Sequence, residues 1–194
     1  MFALVILGGC ARSTSPTTSA DPTSTDPTST DPTSTDPTST ALGAAATVVY
    51  VIDGDTIIVD LAGTDEHVRL IGIDTPEPSG GYRPAECHGD EASEFTKTLL
   101  PEGTPVLITR DAEPRDKYGR FLGYVHRAQD GLFINLTLVE QGHAAPLSIE
   151  PNTTFRTQFE QAAALARDAD LGLWGACGGP DTPLDESLPV TSGS

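Results

Sequence analysis

Positive charge is scarce in this sequence: 11 Lys and Arg face 28 Asp and Glu, giving a net charge of −17 over 194 residues. That deficit excludes a globally basic nucleic-acid binder, so any polyanion must be met by a local patch or a bound cation. Long apolar runs are missing too, and none approaches the roughly 18 residues that read as a membrane span. The apolar share of 37% falls below the roughly 45–50% common in globular chains, which leaves part of the chain outside any core. Residues 11–40 account for much of this: 23 of those 30 are Ser, Thr or Pro, and none is aromatic. Cysteines number three, and no set of Cys and His has zinc-ligand spacing. His67, His88, His126 and His143 therefore read as surface or strand residues. What remains suits one small acidic domain on a tether.

Phe2 to Leu7 is a short apolar run that leads into Gly8-Gly9-Cys10. Small residues before a cysteine resemble a bacterial lipobox, in which cleavage exposes Cys10 for lipid attachment and the lipid holds a soluble domain at a membrane. The basic residue that ordinarily precedes such a run is missing. An ordinary signal peptide with an incidental cysteine is the alternative. Both readings export the protein, to the outer face of the cell membrane in the first case and into the medium in the second.

Asp-Pro-Thr-Ser-Thr then occurs four times, starting at Asp21, Asp26, Asp31 and Asp36. Five residues cannot form a burying unit, and a proline in every repeat blocks helix, so residues 11–46 read as an extended tether, or as a glycosylated stalk. A flexible chain of that length spans about 35 Å root-mean-square. Residues 178–194 are also rich in Pro, Ser and Thr and read as a disordered tail.

The folded part is expected over 47–177, with ten basic against 21 acidic residues and hence a net −11. Thr47–Ile52 is a β-branched run stopped by Asp53-Gly54-Asp55, a hairpin signal, and Thr56–Leu61 resumes as a strand. Further strands are expected over 67–73, 105–109 and 121–127. Helices are expected over 90–100, 134–141 and 154–168, the last capped by Asn152 or Thr153 with Phe155, Phe159, Ala162 and Ala166 facing inward. Five strands with about three helices predict an α+β chain built on a five-stranded OB-fold barrel.

Three clusters carry the chemistry: Asp53-Gly54-Asp55, Arg69 with Asp74-Thr75-Pro76-Glu77, and Asp116-Lys117-Tyr118-Gly119-Arg120. Singly they are a turn, a strand exit and a solvated loop. In this order, and with Glu91–Lys97, Leu138–Gly142 and Leu171–Trp174, the sequence resembles the thermonuclease, or staphylococcal nuclease-like, family over about 130 residues. The resemblance implies a calcium-dependent nuclease that cuts DNA and RNA with little sequence specificity. It implies Asp55, Asp74 and the Thr75 carbonyl as hard oxygen ligands for Ca²⁺, and Glu77 as the group that orients or deprotonates the attacking water. Arg69 and Arg120 would grip the phosphate through guanidinium forks, and Lys117 and Tyr118 would touch a neighbouring phosphate. A non-catalytic OB-fold module binding nucleic acid or protein is the alternative function. No protein partner is implied, and a monomer is expected.

One departure from the family concerns the segment before the last helix, where family members often carry base-stacking tyrosines. Here it reads Pro146-Leu147-Ser148-Ile149-Glu150-Pro151-Asn152, with no aromatic and with Glu150 placed to repel phosphate. Stacking is worth about 1–3 kcal/mol per base, so substrate affinity should be reduced. Arg69, Arg83, Arg115, Lys117 and Arg120 would have to form a local basic face. Cys87 and Cys177 flank the fold, and in an exported domain they suggest a disulfide rather than two separate thiols. Closing 90 residues would stabilise the domain by about 4–5 kcal/mol in the chain-entropy account.

Overall fold

The computed structural model describes residues 43–184. The lipobox at Cys10, nearly all of the repeat tether and the last ten residues of the tail lie outside the described residues. Five strands close a barrel in the order β1 (Ala44–Val51), β2 (Thr56–Leu61), β3 (Thr64–Leu70), β6 (Phe121–Arg127) and β5 (Pro105–Thr109). β4 (Gly72–Asp74) pairs with β7 (Ala145–Leu147) in a separate two-stranded sheet. Helices α1 (Gly89–Leu99), α2 (Ile134–Glu140), α3 (Arg156–Asp168) and α4 (Leu173–Cys177) complete the domain. The five-stranded OB-fold is as expected. Among the described residues no helix is long and apolar enough to cross a membrane.

Alternation builds the barrel. Ile57 and Val59 of β2, Val68 and Leu70 of β3, and Val106 and Ile108 of β5 point inward and are fully buried or nearly so. The β2–β3 hairpin turns through Ala62 and Gly63, both at positive φ, a backbone that suits the tight two-residue turn. β1 begins three residues before its expected start, because Ala44 to Thr47 pair with Ile108 to Pro105 and so close the barrel. An alanine run carries no β-branched signal, which is why it reads as linker. Inside, Asn135 Oδ1 accepts from Val125 N at 2.9 Å and its Nδ2 donates to the Ile71 carbonyl at 2.9 Å. Removing that amide would orphan a buried N–H at a cost of about 1–3 kcal/mol.

Several expectations are corrected. The stretch 67–73 is two strands, not one, because Gly72 adopts φ 81° and turns the chain out of the barrel; a Cβ there would lie 2.3 Å from the Phe159 ring. Neither Asn152 nor Thr153 caps α3, which starts at Arg156 after Phe155. Asn152 instead brackets the backbone of Glu113, accepting from its N–H at 2.8 Å and donating to its carbonyl at 3.1 Å. Phe159, Ala162 and Ala166 are buried as expected, and Phe155 packs partly buried against the same core. The tail is ordered at its start: Cys87 N donates to Thr182 O at 2.8 Å and Leu184 N to Ala85 O at 3.1 Å. Backbone hydrogen bonding, which composition does not report, fastens it. Cys87 and Cys177 form a disulfide with Cα atoms 5.9 Å apart.

Two of the histidines are a pair rather than independent surface residues. His88 Nε2 lies 3.0 Å from His143 Nδ1, and the His143 ring stacks on Phe95 with centroids 4.1 Å apart. Burial, and then the charge His88 would carry, push His143 down to about 4, partly offset by Glu91. A His whose folded-state value lies below its unfolded value near 6.5 binds more protons when unfolded, so its contribution is complete above that value and is lost as pH falls towards 4. The loss is at most about 3 kcal/mol. Asp53 and Asp74, both raised to about 6, act in the opposite sense over the same range. The measurement is therefore a difference: urea-unfolding free energy of wild type minus His143→Phe should fall between pH 6.5 and 4, and a flat difference would remove the pair from the pH dependence.

Candidate active site

The β1–β2 turn delivers Asp55, and the exit from β4 delivers Asp74, Thr75 and Glu77. Asp55 is buried, and Thr75 holds it: the Thr75 N–H and Oγ1 both donate to Asp55 Oδ2, at 3.0 and 3.1 Å. Thr56 Oγ1 donates to the other oxygen at 3.1 Å. The turn is tight because Gly54 faces Thr75, where a Cβ would come within 2.6 Å of the threonine hydroxyl. The Gly54 carbonyl in turn accepts from buried Thr96 of α1 at 2.8 Å, so the helix braces the turn.

Asp55 and Asp74 converge on one cationic nitrogen. Arg69 Nη2 lies 3.0 Å from Asp55 Oδ2 and 2.7 Å from Asp74 Oδ1, and Arg69 Nη1 donates to the Leu70 carbonyl. The guanidinium expected to present its fork to phosphate is thus occupied by carboxylates. Asp53, which sequence reasoning passed over as a turn residue, joins the cluster through its Oδ1, which accepts from Asp55 N at 3.0 Å. Burial, reinforced by the Asp55 charge, raises Asp53 to about 6. Burial also raises Asp74 to about 6, against the pull of Arg69 and with help from Asp55, Asp181 and Glu77. The trace of Asp53 in the sequence is its i, i+2 spacing from Asp55.

Among the described residues no group of three or more His, Cys, Asp or Glu stands arranged as a metal cluster. Two carboxylates that already share one cationic atom, with only oxygen donors nearby, nevertheless have the donor chemistry of a hard divalent cation. The Thr75 carbonyl stands next in the chain as a third oxygen.

Glu77 is 23% exposed at its side chain, and its Oε1 accepts from Arg83 Nη1 at 2.7 Å. Its backbone is held on both sides by Glu86: Glu77 N donates to Glu86 Oε2 at 3.1 Å, and Glu86 N donates to Glu77 O at 2.9 Å. Arg83, expected in a basic face for phosphate, is instead committed to Glu77, and the role of Glu86 is not legible in sequence, since contacts across a loop leave no periodic trace.

The third cluster is a loop closed on Asp116. Its Oδ1 accepts from the N–H groups of Tyr118 and Arg120, at 2.9 and 3.0 Å, and its Oδ2 accepts from Arg120 Nε at 2.7 Å. Gly119 at φ 85° makes the turn possible. Partial burial works against the Asp116 charge, but the bonds from Arg120 and Tyr118 outweigh it and hold the carboxyl below its usual value. Lys117 Nζ lies 4.9 Å from the centroid of the exposed Tyr118 ring, and the Arg120 guanidinium 5.7 Å from it. Parallel pairing sets Leu122 of β6 beside Arg69 of β3, so this loop enters the barrel next to the acidic cluster without hydrogen-bonding to it. The expected basic face is internally neutralised, because Arg115 also pairs with Glu66, at 2.7 and 2.9 Å. Ile149 is 66% exposed in place of an aromatic, and Glu150 is engaged by Arg156 at 2.9 Å rather than facing outward unpaired.

Residues 67–176 match the family model described as staphylococcal nuclease homologue. The chain belongs to the staphylococcal nuclease family. It is similar to a thermonuclease of Staphylococcus intermedius, 42% identical over 132 residues that cover 68% of this chain and 77% of that one. A thermonuclease of Staphylococcus hyicus is 38% identical over 127 residues, covering 66% and 73%. Endonuclease YncB of Bacillus subtilis is 36% identical over 128 residues, covering 66% and 60%. Membership decides between the two functions open in sequence: the chain is a hydrolase of the nuclease class, not a non-catalytic OB module.

Proposed function

We propose that this nuclease hydrolyses phosphodiester bonds of DNA and RNA with low sequence specificity, using Ca²⁺ held by Asp55, Asp74 and the Thr75 carbonyl. The observation that carries the reading is the convergence of the Asp55 and Asp74 carboxylates on a single cationic atom, at 3.0 and 2.7 Å, with Glu77 three residues further on. Bound there, the cation supplies Lewis-acid polarisation of a phosphate oxygen. Glu77 takes the proton of the attacking water as its oxygen bonds to phosphorus and the ester oxygen departs. With Oε1 on Arg83, Oε2 is the oxygen for that proton. Arg120, fixed through Nε, offers its terminal nitrogens to charge developing on the phosphorane oxygens. Arg69 does the same when substrate phosphate replaces a carboxylate partner, and Lys117 and Tyr118 meet an adjacent phosphate.

Cleavage of plasmid and single-stranded DNA should proceed with Ca²⁺, stop with chelator, and run poorly with Mg²⁺, which demands tighter octahedral geometry. Undiminished cleavage in chelator would overturn the metal assignment. The reading extends to location: Cys10 as a lipid anchor and residues 11–46 as a spacer would hold the domain outside the cell. Cys10→Ser should then move the activity from the membrane fraction to the medium without changing its specific activity. A wild-type protein already wholly soluble after export would sink the anchor.

A further inference from the structure

The loop between β4 and α1 carries Glu77 away from the barrel, and its two ends are held to each other by hydrogen bonds between Glu77 and Glu86. Glu86 holds the Glu77 backbone through two hydrogen bonds, one from its own N–H and one to its carboxylate. The opposite edge of the same short stretch is covered by the start of the tail. Glu86 bridges Pro183 in antiparallel fashion, with Cys87 N bonded to Thr182 O and Leu184 N to Ala85 O. Glu86 is therefore the middle of three strands' worth of chain, with Glu77 on one side and Pro183 on the other. The Cys87–Cys177 disulfide ties the tail to that middle segment one residue beyond Glu86. Thr182 Oγ1 donates back to Gly179 O at 3.2 Å, which folds the tail onto itself before it reaches the loop.

We propose that residues 178–184, fastened by the Cys87–Cys177 bond, form a strap that positions Glu77 by fixing Glu86. Glu86 is a positioning residue, and it acts through the backbone of Glu77. The inference rests on the reading of Glu77 as the group that activates water. Misplacement of a reacting group by about 1 Å can cost on the order of 10²-fold in rate, so loss of the strap should appear in turnover and not in substrate affinity.

The test compares five variants, Glu77→Gln among them, with wild type at saturating Ca²⁺, so that the removal of Asp181 with the strap cannot act through cation affinity. A chain ending at Leu184 is the control and should behave as wild type. A chain ending at Gly179 keeps both cysteines and loses the part of the strap that bonds to the loop, Thr182 to Leu184; its kcat on single-stranded DNA should fall by about tenfold or more with KM within about twofold. Glu86→Ala should do the same, and Glu86→Gln, which retains an oxygen to accept from Glu77 N, should restore most of the loss. Circular dichroism and a thermal midpoint above the assay temperature establish that each is folded, and a loss of rate that only tracks the unfolded fraction would overturn the proposal. Full turnover in both the Gly179 truncation and Glu86→Ala, while Glu77→Gln is inactive, would overturn the strap and leave Glu77 in place. Wild-type cleavage by Glu77→Gln would remove the base assignment and the strap with it.

Discussion

Glu77→Gln is expected to lower the initial rate of single-stranded DNA cleavage by about 10²–10⁴-fold, the usual cost of removing a positioned general base. Gln keeps the size of the side chain and the oxygen that accepts from Arg83, but it cannot take the water's proton. Binding should move the other way. The substitution deletes a negative charge beside phosphate and weakens the hold on Arg83, whose side chain is 69% exposed, so affinity for the same DNA should hold or rise. Arg120→Lys should also be severe, by about 10²–10³-fold, because the Nε contact to Asp116 at 2.7 Å fixes a planar fork that an ammonium cannot reproduce. An exposed change such as Glu160→Gln should leave the rate unaltered. The measurements are initial rate and dissociation constant for each protein at one salt concentration. Wild-type rates in both site variants would place the activity elsewhere in the chain.

Gly89→Ala should destabilise the domain and disable it together. Gly89 opens α1, and a Cβ there would sit 2.0 Å from the Glu77 carbonyl oxygen, 2.4 Å from its carbon and 2.9 Å from Pro78 N. All three are backbone atoms, so no flexible side chain can yield. Helix propensity alone predicts the opposite, since Ala is favoured over Gly in a helix by about 1 kcal/mol. The clash should prevail at about 1–3 kcal/mol of lost stability, with kcat reduced by about 10²-fold as Glu77 is displaced. Urea unfolding and turnover on the same preparation decide between them. A stabilised and fully active variant would show that the helix start can slide away from Glu77.

The barrel was legible because its strands carry their signal locally: β-branched alternation in β2 and β5, and a turn pair of aspartates between β1 and β2. The Ala44–Ala46 edge was not, since small residues pair through backbone alone. The acidic cluster was legible as residue types at a spacing, and Asp55, Asp74 and Arg69 do come together. What the spacing could not convey is that Arg69 would span both carboxylates. Ion pairing distributed over Glu66, Glu77 and Asp116 likewise hides from any count of basic residues, and so the expected basic face dissolves into pairs. The His88–His143 contact joins residues 55 apart in sequence, and such a distance carries no local pattern.

The disulfide also orders events in time. One of its sulfurs belongs to residue 87 and the other to residue 177, so the bond waits for translation to pass the last helix of the domain. It waits as well for surroundings that oxidise thiols, which a reducing cytoplasm does not provide. A nuclease threatens the nucleic acid of the cell that makes it. In this chain the bond beside the loop bearing Glu77 closes only once Cys177 has been made, and in whatever compartment first permits the two sulfurs to join.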